Sequence, residues 1–446
     1  MKRSAAQRDT PAKKTRASLN RIPAQSTKPL SVYMFGSGTI CELGLGPRVT
    51  EVKRPRLNPL LPPNEVGIVQ LACGGAHTIG IDVNGHVWSW GQNDGGALGR
   101  LSKEQDDEID EDNDLNAKES TPKRVEGLSE NTVFVAVGAT DNVSAAVTAD
   151  GRVWAWGTFT DDGRKCFRPG VKYQREPWLV PNVRGAVALA GGKDHILILD
   201  KNGKVWAWGT GQSHQLGVKV NPNLRTHTFG PFKVPGVKDI VYISAGDYQS
   251  FAIDKNGKVW AWGLNNFGQL GISEGVGAGA MIEKPTEVEF FTSKHITQIA
   301  SGSHHTVWLT EDGEVWTVGE TNFHQLGVPY DNLPADTVRE KDGTPSYITT
   351  PMKLTKGAFE EEPVDLPRFK FIAAGTDHSL AISKEDGSTW TWGFGDVYQL
   401  GHGKPAGEDS PEDEPVPTRI KNTATTGVNM CWAGAGGQFS VIAAVA

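Results

Sequence analysis

Short stretches of alternating apolar and small or polar residues recur along the chain. The clearest are Val87-Trp88-Ser89-Trp90-Gly91, Val153-Trp154-Ala155-Trp156-Gly157, Val205-Trp206-Ala207-Trp208-Gly209 and Val259-Trp260-Ala261-Trp262-Gly263. A period of two marks a strand with one buried face, and β-branched and aromatic residues suit a pleated surface. Val32-Tyr33-Met34-Phe35-Gly36 opens the series, and Val315-Trp316-Thr317-Val318-Gly319 and Thr389-Trp390-Thr391-Trp392-Gly393 continue it as looser copies. Seven copies about 50 to 75 residues apart constitute an array of one repeated unit.

A small-residue strand ending in Gly-x-x-His lies upstream of most copies: Ala72-Cys73-Gly74 to His77, Ala190-Gly191-Gly192 to His195, Ala300-Ser301-Gly302 to His305 and Ala373-Ala374-Gly375 to His378. Ala136 to Asp141 and Ser244 to Gln249 take the same place with different final residues. Between the two halves stand Asn84-Gly85, Asp150-Gly151, Asn202-Gly203, Asn256-Gly257 and Asp312-Gly313, read as two-residue hairpin turns with positive φ angles. A Leu-Gly pair closes six units downstream, at Gly44, Gly99, Gly217, Gly271, Gly327 and Gly401.

One such unit cannot bury its own aromatic face, so neighbours must cover it. Radial stacking does so, with small residues near the axis and Trp in the wider space between units. The expectation is an all-β, seven-bladed β-propeller. The first tetrad lacks its upstream half, and the strand from Ala433 to Val441 lacks a tetrad after it, so N- and C-terminal strands should close the ring in one blade. No Trp-Asp dipeptide occurs, which excludes the best-known propeller repeat.

Composition adds exclusions. The four cysteines, Cys41, Cys73, Cys166 and Cys431, form no CxxC or Cys/His cluster, so structural zinc is not expected and a reducing compartment fits. Apolar runs break well before the length of a membrane span, and the start of the chain has no apolar core of a secretory signal. The repeat histidines recur once per blade and are read as hydrogen-bonded structural residues rather than metal ligands. No cofactor is expected, and no P-loop is present.

The net charge is −7, from 45 Lys and Arg against 52 Asp and Glu. Residues 1–28 carry Lys2, Arg3, Arg8, Lys13, Lys14, Arg16, Arg21 and Lys28 against Asp9 alone, so this stretch is basic and the body acidic. Residues 1–28 are read as a disordered basic arm and 29–446 as the propeller. Lys13-Lys14-Thr15-Arg16 reads as a nuclear import signal, a nucleic-acid contact, or both. The acid-rich stretch from Glu104 to Asp114 reads as a solvated loop, and residues 328–367 lengthen blade six without assignable chemistry.

Two irregularities stand out against the repeat. In the third unit the Leu-Gly turn is missing, and Thr158-Phe159-Thr160-Asp161-Asp162-Gly163-Arg164-Lys165 takes its place. The residues just before the repeat histidine position, read as Ala76, Thr140, Asp194, Tyr248, His304, Asp377 and Gln438, share no structural demand, as expected of a binding rim.

The aromatic-Gly, Gln-Leu-Gly and Gly-x-x-His signature over about residues 30–446 resembles the regulator of chromosome condensation family. The segment from Cys41 to Pro59 resembles its fungal members. The resemblance implies guanine nucleotide exchange on the small GTPase Ran, without covalent chemistry, in support of nucleocytoplasmic transport and of spindle and nuclear-envelope assembly. It implies that Thr158, Phe159, Thr160, Asp161, Asp162 and Gly163 form a wedge toward Ran, and that Asp194 and His304 lie on the same face. Family acidic positions correspond to Thr39 and to the Ala139–Asp141 region here. Chromatin association is implied through Lys2, Arg3, Lys13, Lys14, Arg16 and Arg225, with nucleosomal DNA and the histones of the nucleosomal acidic patch, types 2A and 2B, as partners. A nuclear import receptor would take the arm. A monomer in the nucleus, away from membranes, is expected. Repeat motifs establish fold better than function, so a propeller scaffold without exchange activity stands as the second reading.

Overall fold

The computed structural model describes residues 18–102, 115–161, 164–219, 230–405, 408 and 410–446. Seven sheets are arranged as blades, antiparallel throughout except for one parallel pairing of Lys356–Phe359 with Glu414–Arg419 in blade 7. In blade 4, Ala186–Gly191 pairs with His195–Asp200, then Val205–Gly209, then Phe232–Lys233. Blade 1 is shared by the two ends of the chain: Leu30–Ser37 pairs with Phe439–Val445 in the register Leu30↔Val445 to Gly36↔Phe439. Met430–Ala435 lies inside and Glu51–Leu57 outside that pair. The expected closure is therefore the one observed. It joins chain segments some 400 residues apart and so locks the ring.

The repeat residues have definite tasks. In the tetrad, the second aromatic is buried between blades, as for Trp90, Trp156, Trp208, Trp262 and Trp392. A Cβ on the Leu-Gly glycine would press on the next blade's ring: Gly44 on Trp90, Gly99 on Trp156, Gly327 on Trp392 and Gly401 on Phe35, all within 3 Å. These glycines also have positive φ, so no other residue meets both demands. Blade 6, with Val318 in place of the second aromatic, compensates with Trp308 from its neighbouring strand, fully buried against Phe251 and Phe291.

The hairpin turns differ from the two-residue form expected. In blade 2 the Gly85 amide donates to Asp82 O at 2.9 Å and the Asp82 amide to His86 O at 3.0 Å, while only Gly85 has positive φ. The turn is the longer kind that ends in a left-handed glycine. Asp82 fixes it, its Oδ1 accepting from Asn84 and His86 amides and its Oδ2 from Trp88 Nε1.

Residues 18–28 also depart from expectation. Asn20 donates from its amide to Lys201 O at 2.9 Å, and from its side chain to Ile240 O at 2.9 Å and Asp200 O at 3.2 Å. Ile22 packs on the cluster of Val205, Val234 and Ile240. This part of the arm is a strap on the propeller, because its Asn and Ile satisfy carbonyls and apolar surface that would otherwise face water.

Candidate functional site

The buried histidines link blades. His77 Nε2 meets Ser144 Oγ, His195 meets Ser250, His305 meets Ser379 and His378 meets Ser440, each at 2.8 Å and each serine belonging to the next blade. Ser144, Ser250 and Ser440 in turn donate to the carbonyls of Ala97, Gln215 and Gln399. Since those hydroxyl protons are spent, His77, His195 and His378 must donate from Nε2. Burial holds the imidazoles neutral, pushing His77 down to about 4 and His195, His305 and His378 to about 3. Gln249 performs the same task in blade 5, donating to Ser301 Oγ at 2.7 Å.

Blade 3 lacks this link. Register pairs Val143 with Gly157, as His77 pairs with Gly91, so Val143 stands at the histidine position and Asn142, not Thr140, precedes it. Thr140 instead occupies the place of Gly74, with its amide donating to Val143 O. The rim is thus Ala76, Asn142, Asp194, Tyr248, His304, Asp377 and Gln438. Each carbonyl of this set accepts from the amide that follows a tetrad glycine. Rim and post-tetrad loops therefore share one face of the ring.

On that face Phe159–Asp161 and Arg164–Cys166 form a separate two-stranded hairpin, with Thr160 opposite Lys165. Its root is built into the core. Phe159 is 1% exposed and packs edge-on to Trp208 at 5.1 Å, alongside Phe167, itself 4.8 Å from Trp208 and 5.9 Å from Trp178. Thr158 is fully buried, donating from Oγ1 to Lys172 O at 2.6 Å and from its amide to Asn142 O at 2.9 Å. These two residues differ from the exposed contacts expected of them: their side chains are enclosed in the blade 3–4 interface, where they anchor the hairpin. Asp194 contributes to the same anchorage, its Oδ1 accepting from the Thr160 amide at 2.7 Å. Asp162 and Gly163 lie outside the described residues, as do Lys2, Arg3, Lys13, Lys14, Arg16 and Arg225.

His304 is half-buried on the same face. Its Nδ1 lies 3.1 Å from Glu320 Oε2, its ring stacks on Tyr248 at 6.2 Å, and Phe267 meets it edge-on at 4.9 Å. Thr39, exposed in the first post-tetrad loop, lies 3.1 Å from Ser37 Oγ through its hydroxyl.

An inner ring escaped the sequence reading. Asp141 donates its amide to Lys193 O, Lys193 to Asp247 O, Asp247 to Gly302 O, Ser303 to Thr376 O and Gly437 to Gly75 O, circling the mouth of the axial channel. Three charged residues thus crowd the axis: Asp141, Lys193 and Asp247. Burial, reinforced by Asp247, pushes the Asp141 carboxyl up to about 7, with Lys193 opposing. Burial and then Glu320 push Asp377 up to about 6, with His304 opposing. The signal was present in the residue just after the inner-strand Gly or Thr140, where glycine and small polar residues give way to charge only in blades 3, 4 and 5.

The sequence matches the RCC1-like domain family over residues 31–442. It is 43% identical over 437 residues to the guanine nucleotide exchange factor SRM1 of Saccharomyces cerevisiae, covering 93% of this chain and 87% of that protein. Schizosaccharomyces pombe protein pim1 is 40% identical over 432 residues, covering 96% and 77% respectively. The crystal structure of Prp20p from Saccharomyces cerevisiae, described with its binding properties to Gsp1p and histones, matches with a TM-score of 0.85 at 41% identity, covering 94% of this chain and 92% of that one. Yeast RCC1 (Prp20) in its complex with Kap60 matches with a TM-score of 0.86 at 40% identity, covering 99% and 96%. With the repeat, the ring closure and the family match in agreement, this chain belongs to the RCC1-like domain family, the regulator of chromosome condensation propellers.

Proposed function

We propose that this protein is a guanine nucleotide exchange factor for the small GTPase Ran, acting on chromatin in the nucleus. The observation that carries the reading is the hairpin of blade 3, rooted in an aromatic core and tied to Asp194, on a propeller that shares 43% identity with the exchange factor SRM1.

The activity needs no covalent step. A small GTPase holds its nucleotide through backbone amides around the phosphates, a lysine and Mg²⁺. A protein that binds the nucleotide-free form more tightly must weaken nucleotide binding by the same factor. A hairpin whose root is packed between blades resists displacement, so the cost of distortion falls on the GTPase. Thr160, Asp161, Asp162 and Gly163 are the contact residues in this reading, with Thr158 and Phe159 as anchors. His304, held by Glu320 and two aromatic rings, and Asp194 supply the polar flank. The propeller itself brings neither nucleotide nor metal to the reaction.

Asp194 serves as anchor through one oxygen and as a charge on the rim. Two substitutions separate these roles when stimulated release of labelled guanine nucleotide from Ran is measured. Asp194→Asn keeps an acceptor for the Thr160 amide and loses the charge, whereas Asp194→Ala loses both. We expect release to slow at least about tenfold in Asp194→Ala, a loss of about 1.4 kcal/mol in transition-state stabilisation. Wild-type rates in both variants would remove the assignment.

Lys2, Arg3, Lys13, Lys14 and Arg16 suit nucleosomal DNA phosphates, with steep salt dependence and no base readout. Arg225 suits the carboxylate cluster of the histone acidic patch, and Lys13 to Arg16 suits an import receptor. Nucleosome binding by Arg225→Glu and by a chain lacking residues 1–17 tests this. The truncation stops before Asn20 so that the strap stays in place.

A further inference from the structure

The face opposite the hairpin carries a second, repeated feature. Between successive blades runs a groove bounded by the Asx-Gly turn of one blade and the start of the next inner strand. An apolar linker residue plugs three of the seven grooves completely. Leu61, Val183 and Phe291 are buried to within 1% at the blade 1–2, 3–4 and 5–6 boundaries. At the blade 4–5 boundary the linker offers Val237, only partly buried, and the strap completes the seal with Ile22 while Asn20 bridges the carbonyls of Asp200 and Ile240.

The blade 2–3 boundary has the same frame without an apolar seal; the strap reaches only its edge, where the Gln25 side chain donates to Val83 O, the counterpart of the Lys201 carbonyl that takes the Asn20 amide. Its turn, Asp82-Val83-Asn84-Gly85, reproduces Asp200-Lys201-Asn202-Gly203 bond for bond. Asp200 Oδ1 accepts from Asn202 and Lys204 amides and Oδ2 from Trp206 Nε1, as Asp82 does for Asn84, His86 and Trp88. The Phe134 amide donates to Gly85 O as the Ile240 amide does to Gly203 O. The carbonyls of Asp82 and Phe134 thus correspond to the two that Asn20 bridges. Leu128, the linker residue, is only partly buried, and a cavity of about 280 Å³ remains over Val125 and Phe134. Its rim carries exposed Glu126 and Glu130, the latter within ion-pair distance of Arg124 and His86.

We propose that the blade 2–3 groove is a docking site for a short extended peptide of a partner protein, with the chemistry of this chain's own Leu19-Asn20-Arg21-Ile22: an asparagine side chain, a basic residue beside it and an aliphatic residue two positions on. The asparagine amide bridges the Asp82 and Phe134 carbonyls, the aliphatic side chain fills the space beside Leu128, and the basic residue faces Glu126 and Glu130. The occupied blade 4–5 groove is the internal precedent, and charge complementarity sets the basic residue.

The test titrates a labelled peptide, Ser-Leu-Asn-Arg-Ile-Pro-Ala-Gln, onto the full chain and follows fluorescence anisotropy. The expected result is saturable binding that weakens at least about tenfold for the Asn→Ala peptide and for Leu128→Trp, which fills the cavity. The double variant Glu126→Lys/Glu130→Lys, confined to exposed residues, should weaken it similarly and keeps the test valid if Leu128→Trp folds poorly. No saturation at about millimolar peptide would overturn the proposal. So would binding that neither protein variant changes, since the peptide would then have displaced the strap between blades 4 and 5.

Discussion

The boundary between blades 4 and 5 and the boundary between blades 3 and 4 bury the same kind of ring by different means. At the first, Trp262 donates from Nε1 to Gln215 O, His195 bonds Ser250, and Gly217 leaves room for the indole. At the second, the histidine is Val143 and the Leu-Gly turn is absent, and Trp208 is enclosed by Phe159, Phe167 and Trp178. One boundary is closed by hydrogen bonds that recur from blades 2, 6 and 7. The other exchanges them for apolar packing and so frees its loop to leave the ring as a hairpin. A repeat protein can thus give up one structural device where a different packing solution carries the load.

The largest effect should come from emptying the aromatic boundary. Phe167→Ala removes a fully buried ring and should cost about 3–5 kcal/mol of stability, read from denaturant unfolding. Phe159→Ala should cost a similar amount and should slow nucleotide release only by loosening the hairpin. A variant with normal stability and lost exchange would instead make Phe159 a direct contact. At the hydrogen-bonded boundary, Ser250→Ala leaves His195 and Trp262 in place and should cost about 1–3 kcal/mol, because it strands a buried imidazole donor.

The two boundaries should also differ in acid. The folded-state value of His195 lies at about 3, below its ordinary 6.5. The unfolded chain therefore takes up a proton first as pH falls, and stability is lost progressively from about 6.5 downward. His195→Gln, which places in blade 4 the residue that blade 5 carries naturally as Gln249, removes the titrating ring and should flatten that loss. Equal acid sensitivity in variant and wild type would rule out this origin. At the axis an effect of opposite sign is expected. Asp141 is raised to about 7, so the folded state holds its proton longer than the unfolded chain as pH rises from about 4 to 7. Asp141→Asn should gain stability relative to wild type across that interval and keep the gain above it. A constant difference at all pH values would contradict the raised carboxyl.

Much of this was legible in the chain. The alternation of Val205 to Trp208 and its six relatives specified strands, their spacing specified a ring, and the unmatched halves at Tyr33 and Val441 specified how it closes. The third unit was legible only as an absence. Its register was misplaced by one short step, with Thr140 read at the position that Asn142 holds, because a repeat without its histidine has no fixed point from which to count. Phe159 was read as a contact because it lies in the irregular stretch, whereas its ring is drawn into the interface by the gap that the missing Leu-Gly turn leaves around Trp208.

By itself the sequence determined the repeat, the number of blades and the two places where the pattern breaks, since these depend on spacing along one chain and on what each residue can bury. Only the tertiary structure decided which side of the irregular loop points inward, that Asn20 and Ile22 return to the ring, and that Asp141, Lys193 and Asp247 meet at the axis. Those facts depend on which blades become neighbours, and closure of a ring brings together residues that no local pattern relates.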